Sequence, residues 1–287
     1  MHGYADDTQI YACFTPGVDE LEVKAELENC IEEVRIWMRE NKLKLNDGKT
    51  EFMILGTKSN LNNVITNGIK IGEETIAKSS PVRNIGEYFD DDMKMNTQVT
   101  KMCKSAWFNL HKISKIRKYL SNDQTKVVMH AYVTSRLDNN NALLAGVPKT
   151  LLRRLQLIQN CAARVIMSQK LKSGHVTPLL KQLHWLPIAA RVDFKILLLT
   201  YKAINDQGAH YLADLIKIKE HARDTRSSRD TLLMDIPKYR LKTYGYRSFH
   251  HYSPALWNTL PLHIRASSTL SEFKRLLKTF LFQREYN

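Results

Sequence analysis

The sequence predicts an α+β chain in which a short acidic front of mixed character precedes a longer, basic and mostly helical remainder. Three observations carry that prediction. In the first hundred residues apolar positions alternate and break at turn-forming residues. From residue 97 onward they recur every three or four positions, as a helix with one buried face requires. The charge also changes sign: residues 1–100 hold 11 Lys and Arg against 18 Asp and Glu, a net of −7, while residues 101–287 hold 32 against 11, a net of +21, which together give the +14 of the chain.

Taken in order, residues 1–14, MHGYADDTQIYACF, read as strand, turn, strand. Asp6 and Asp7 form the turn, and Thr8, Ile10, Ala12 and Phe14 alternate on one face of the outgoing strand. After the Pro16-Gly17 break, Leu27, Ile31, Val34 and Met38 are spaced for an amphipathic helix over 19–41. Phe52 to Leu55 is an apolar stretch, and Asn67-Gly68, flanked by Val64, Ile65, Ile69 and Ile71, is a hairpin signal. A helix is predicted over 97–117, and Ser121 with Gln124 has the capping-box spacing that opens the next one. Pro148 suits the first turn of a helix whose Leu151, Leu155, Ile158, Ala162 and Val165 form an apolar stripe. Further helices are predicted over 188–204, after the Trp185-Leu186-Pro187 turn, and over 270–282. Residues 218–262, rich in Arg, Ser, Tyr and His, read as a long loop with short elements.

Composition narrows the function classes. No apolar run approaches the roughly 20 residues that span a bilayer, and the N-terminus has no basic region followed by an apolar one. The chain is therefore expected to be intracellular, in cytoplasm or nucleus, without a membrane and not secreted. Cys13, Cys30, Cys103 and Cys161 lie far apart, without CxxC or CxxxH spacing, and are expected to be buried reduced thiols. Clustered Lys and Arg attract phosphate by releasing its condensed counterions. The basic back is thus expected to bind RNA, DNA or their hybrid, against the plainer reading of a solvated basic surface.

Adjacent aspartates are common in surface turns, but the context YADDTQIYACF is more specific. It resembles motif C of reverse transcriptases, in the YADDT form of non-long-terminal-repeat retrotransposons. That resemblance implies an RNA-directed DNA polymerase in which Asp6 is the principal and Asp7 an accessory ligand of catalytic Mg2+, with Tyr4 packing beneath the primer terminus. The chemistry suits such residues, because phosphoryl transfer uses two divalent cations roughly 4 Å apart and Mg2+ needs hard oxygen ligands. Trp37-Met38 followed by NKLKLNDGKTEFMILG resembles motif D, with Lys49 at the family's catalytic lysine; Lys49 reads equally as a solvated surface lysine. VRNIGEYFDDDM resembles the primer-grip hairpin through Ile85-Gly86, although Glu87 and Tyr88 depart from the pattern, and Asp90-Asp91-Asp92 reads as an exposed turn. SRLDNNNALLAGVP, LLRRLQLIQNCAARVIM, HVTPLLKQLHWLPIAARVDFKILLLTYKAI and SPALWNTLPLHIRASSTLSEFKRLLKTFLF resemble blocks of the thumb and C-terminal region of chicken-repeat-like and Jockey-like elements. Asn139-Asn140-Asn141 stands where the family has Tyr-Cys-Asn.

The resemblance implies a truncated palm over 1–96, a helical thumb-like region over 97–170 and a helical C-terminal region over 171–287 with a basic aromatic loop. Arg153, Arg154 and Arg164, with Lys112, Lys115, Arg117 and Lys118, would contact the phosphates of a template-primer duplex. In KYRLKTYGYRSFHHY, Lys238, Arg240, Tyr244 and Arg247 would hold a single strand, aromatic faces on bases and cations on the backbone; packing of the loop onto the helices is an equal reading. Because Asp6 is only the sixth residue, the motif A carboxylate and the fingers lie outside the sequence, and the expectation is a polymerase fragment inactive alone. The alternatives are a non-catalytic nucleic-acid-binding protein and a non-functional product of a degenerate element.

Overall fold

The structure, a computed structural model, describes residues 2–5, 7–169, 174–219 and 232–287. The chain is α+β, and its helices and hairpins divide into two compact units, Met1–Gln98 and Val99–Asn287. In the first unit β1 (His2–Tyr4) pairs with β2 (Asp7–Gln9), β3 (Gly68–Ile71) with β4 (Glu74–Ala77), and β5 (Val82–Asn84) with β6 (Glu87–Phe89), each pair antiparallel. Between the first and second pairs come α1 (Glu20–Glu40) and the short α2 (Lys58–Asn62).

The periodicity of α1 has its expected consequence: Ile31 and Leu27 pack against Ile69 and Ile71 of β3, with Phe52 and Ile76 around them. The hairpin is displaced from its sequence signal. Gly68 begins β3 instead of turning, and the reversal falls at Gly72-Glu73, between the paired Ile71 and Glu74. Gly72 has φ 61°, which selects a type II′ turn. Its bare Cα also admits the Arg35 guanidinium, which would lie 1.6 Å from a Cβ placed there.

At the start of α1 the buried Glu20 carboxylate accepts hydrogen bonds from the Ile65 and Thr66 amides at 3.0 and 2.6 Å. Burial pushes this carboxyl up, but the bonds from Thr66 and Ile65 outweigh it and hold the group below its usual value. A carboxyl so lowered stabilises the fold above its unfolded value, near 4.5, and that contribution is lost as pH falls through the folded value. Protection of the Ile65 and Thr66 amides from hydrogen exchange, corrected for intrinsic rates, should therefore drop between about pH 6 and about pH 3. Glu20→Gln should abolish the difference; equal protection of the wild-type amides at both values would contradict the assignment.

The second unit is helical. Its opening helix, α3 (Asn96–Ile116), is followed by α4 (Asn122–Met129), a π turn at His130–Thr134 and α5 (Ser135–Asp138). Then come α6 (Lys149–Ile166), α7 (Thr177–Gln182), α8 (Ile188–Ile204), α9 (His210–Ala213), α10 (Phe249–Trp257), α11 (Leu262–Arg265) and α12 (Leu270–Tyr286). Ser121 and Gln124 form the predicted capping box, each side chain bonding the other's backbone amide. The stripe on α6 buries Leu151, Leu155, Ile158 and Ala162, and leaves Val165 half-buried. The core gathers α8, α10 and α12 around fully buried Trp257, Tyr201 and Phe273, with Tyr201 stacked on Phe273 at 4.3 Å. Two buried polar groups there are satisfied: Trp257 Nε1 donates to Leu232 O and the Tyr201 hydroxyl to Ser267 O.

All four cysteines are free, but of the four expected to be buried only Cys103 is: Cys30 and Cys161 are half-buried, and Cys13 is exposed, where β2 ends at Gln9 and the strand predicted through Phe14 does not continue. Within 218–262, expected as a long loop with short elements, the described residues form a π turn at Lys242–Tyr246 and the nine-residue α10, whose Trp257 is buried in the core; residues 220–231 of that stretch lie outside the described residues. No helix among the described residues is long and apolar enough to cross a membrane.

Candidate nucleic-acid interface

The site begins at the first hairpin. Tyr4 is paired with Asp7, and Ala5 takes a left-handed φ of 54° in the reversal between them. Asp7 therefore opens the outgoing strand instead of sitting in the turn, as the sequence had suggested. Asp6 lies outside the described residues. Tyr4 is 65% exposed, and the Asp7 carboxylate is exposed with no hydrogen bond or ion pair to another described residue.

This hairpin is tied to the one formed by β5 and β6, since Gln9 Nε2 donates to Asn84 Oδ1 at 2.8 Å. The second hairpin turns on Ile85-Gly86, with φ 45° and 85°, which defines a type I′ turn. Glu87 is buried and bonded to Gln98, whose Oε1 accepts the Tyr88 amide, so the two residues that departed from the expected pattern are internal ties. Asp90 accepts the Asn96 and Thr97 amides at the start of α3, and Asp92 pairs with Lys94 at 2.5 Å. The expected turn forms at 91–92, but the acidic triplet is half-buried where exposure was expected, and the Asp90 and Asp92 carboxylates are occupied within the chain.

A β-branched residue at positive φ is rare, because its Cβ crowds the backbone at about 1–2 kcal/mol. Ile85 bears that cost while 48% exposed, so burial does not repay it. Ile85→Asn creates the Asn-Gly pair that type I′ turns prefer and should stabilise the first unit by about 1 kcal/mol. A urea midpoint unchanged or lowered by this substitution would contradict the strain.

Carboxylates are the right donors for Mg2+, but the described residues do not supply enough of them. No group of three His, Cys, Asp or Glu that could hold a metal occurs among the described residues. Among the described residues, Asp7 alone does not fit a two-ion site. Lys49 ends a 3-10 turn, Asp47–Lys49, with its side chain exposed and no hydrogen bond or ion pair to Asp7.

The basic candidates separate into two groups. Arg153 and Arg154 are exposed on α6, Arg154 reaching Thr100 Oγ1 at 3.1 Å, and Lys238 and Arg240 are exposed as well. Arg164 instead donates to Gly174 O, and Arg117 to Val165 O, Ile166 O and Leu120 O. Arg247 donates to Ala145 O and Leu143 O, and burial pulls its guanidinium below its usual value. These three arginines tie segments together. Tyr244 is half-buried, and the neighbouring rings pack inward: Tyr246 lies against His251 and Tyr252, whose hydroxyl donates to Asp193 at 3.1 Å. Packing of this stretch onto the helices is what its geometry favours. Gln9 and Asn84, which join the two hairpins, carried no signal in the sequence.

Compared with protein-family models, curated proteins and solved structures, the chain matches none.

Proposed function

We propose that the chain is a portion of a retrotransposon RNA-directed DNA polymerase whose basic helical unit holds RNA, DNA or their hybrid. The observation that carries this reading is the Gln9–Asn84 bond between the hairpin bearing Asp7 and the hairpin tipped by Ile85-Gly86. In a polymerase the metal-binding turn and the loop that grips the primer act on the same 3′ end, and a side-chain bond from the open end of the first hairpin to the turn of the second supports that reading. The palm, thumb and C-terminal assignments follow from the same reading. The net +21 beyond residue 100 supplies the attraction for phosphate.

The test is binding of labelled RNA, DNA and hybrid duplex by fluorescence anisotropy. Affinity should fall with salt, with a slope of about −0.7 to −0.9 for each phosphate contact neutralised. Arg153→Glu combined with Arg154→Glu should weaken all three complexes and reduce the slope by about 1.4 to 1.8. Absence of any complex at low salt would refute the reading.

A further inference from the structure

The helix α3 contains no acidic residue, and its apolar face is committed to the core through buried Val99, Met102, Ala106, Leu110 and Ile113. The opposite face is unusual in composition. At 100° per residue, Lys101, Lys104, Phe108, Lys112 and Lys115 fall within an arc of about 80° and span roughly 21 Å. All five are exposed, Phe108 at 61%. Trp107, 41% exposed, stands on the shoulder of this stripe, and the following 3-10 turn, Arg117–Tyr119, adds Lys118 and a Tyr119 that is 74% exposed. The cations and rings are interleaved: Lys112 Nζ lies 4.3 Å from the Phe108 ring centroid and Lys118 Nζ 4.8 Å from that of Tyr119.

We infer that this face of α3 is a stacking platform for single-stranded nucleic acid. The inference rests on the nucleic-acid reading above and specifies the strand state recognised. Exposed rings gain little from a duplex, whose bases already stack on one another. An unpaired strand offers base faces to Phe108, Trp107 and Tyr119 while its phosphates meet the lysines. A membrane surface is the competing partner for a basic aromatic helix, but a helix lying on lipid separates its apolar and basic faces. Here the apolar face is buried in protein and the rings stand among the lysines.

The experiment uses the full chain with three labelled probes: an oligo-uridine strand, a duplex of equal length, and vesicles containing phosphatidylserine. Phe108→Ala with Trp107→Ala should weaken oligo-uridine binding by at least about fivefold, the lower edge of what one stacked base contributes, and leave duplex binding within twofold. Both side chains are substantially exposed, and an unchanged thermal midpoint will verify that the variant folds. Lys104→Gln with Lys112→Gln should reduce the salt slope for the single strand by about 1.4. Unchanged oligo-uridine affinity in the aromatic variant, or an equal loss for strand and duplex, would overturn the platform while leaving the nucleic-acid reading intact. Failure of the wild-type chain to bind either nucleic acid would overturn both. Vesicle binding that requires Phe108 and is not competed by oligo-uridine would assign the face to lipid instead.

Discussion

Phe273→Ala should lower stability by about 3–5 kcal/mol, the range for emptying a fully buried aromatic site. Phe273 lies between Tyr201, stacked at 4.3 Å, and Trp257, at 5.8 Å, and so links α12 to both α8 and α10. Truncation would leave a cavity that two large rings cannot close without abandoning their bonds to Ser267 O and Leu232 O. For a unit of this size each kcal/mol moves the midpoint by roughly 2–4 °C, so scanning calorimetry should register a fall of about 6–20 °C. A fall of under about 2 °C would mean that the three-ring cluster does not hold these helices together.

The second large effect concerns catalysis. On the polymerase reading, a primer annealed to an RNA template should not be extended by the 287-residue chain with either magnesium or manganese, because Asp6 and Asp7 are too few carboxylates to fix two ions. A longer polypeptide that sets a strand bearing a third carboxylate beside the hairpin should extend the primer. In that polypeptide Asp6→Ala should reduce extension by about a thousandfold or more, corresponding to roughly 4 kcal/mol or more of lost transition-state stabilisation, while nucleic-acid affinity changes little. Extension by the 287-residue chain itself, abolished by Asp6→Ala, would show that its own residues complete the site.

What could be read from the sequence was what is decided locally. The apolar spacing of α1, α6 and α8 and the Ser121–Gln124 box depend on residues three or four apart, and all of them form as expected. The hairpin after α2 was misplaced because Asn67-Gly68 and Gly72-Glu73 are both good turns. The choice is made from a distance, by Ile31 and Leu27 covering Ile69 and Ile71 and by Arg35 filling the space at Gly72. At the candidate site, Tyr4, Asp7 and Ile85-Gly86 were visible as short motifs. The bond that joins their hairpins connects residues 75 apart, and the carbonyl that holds Arg247 is 102 residues away. No local pattern encodes either.

The arginine ties of the second unit have a chemical consequence. Arg117 is joined to four carbonyl and amide oxygens, Arg191 grips both carboxylate oxygens of Asp138, and Arg247 holds two carbonyls. Such forks need planar guanidinium groups with several donors, a geometry no lysine reproduces. The charge that α3 turns outward is, by contrast, carried by lysines. On α3, then, the outward charge rests on lysines, whereas these ties rest on arginines, and only lysine can be acetylated. Acylation of lysine would neutralise the α3 face while the guanidinium ties stayed closed.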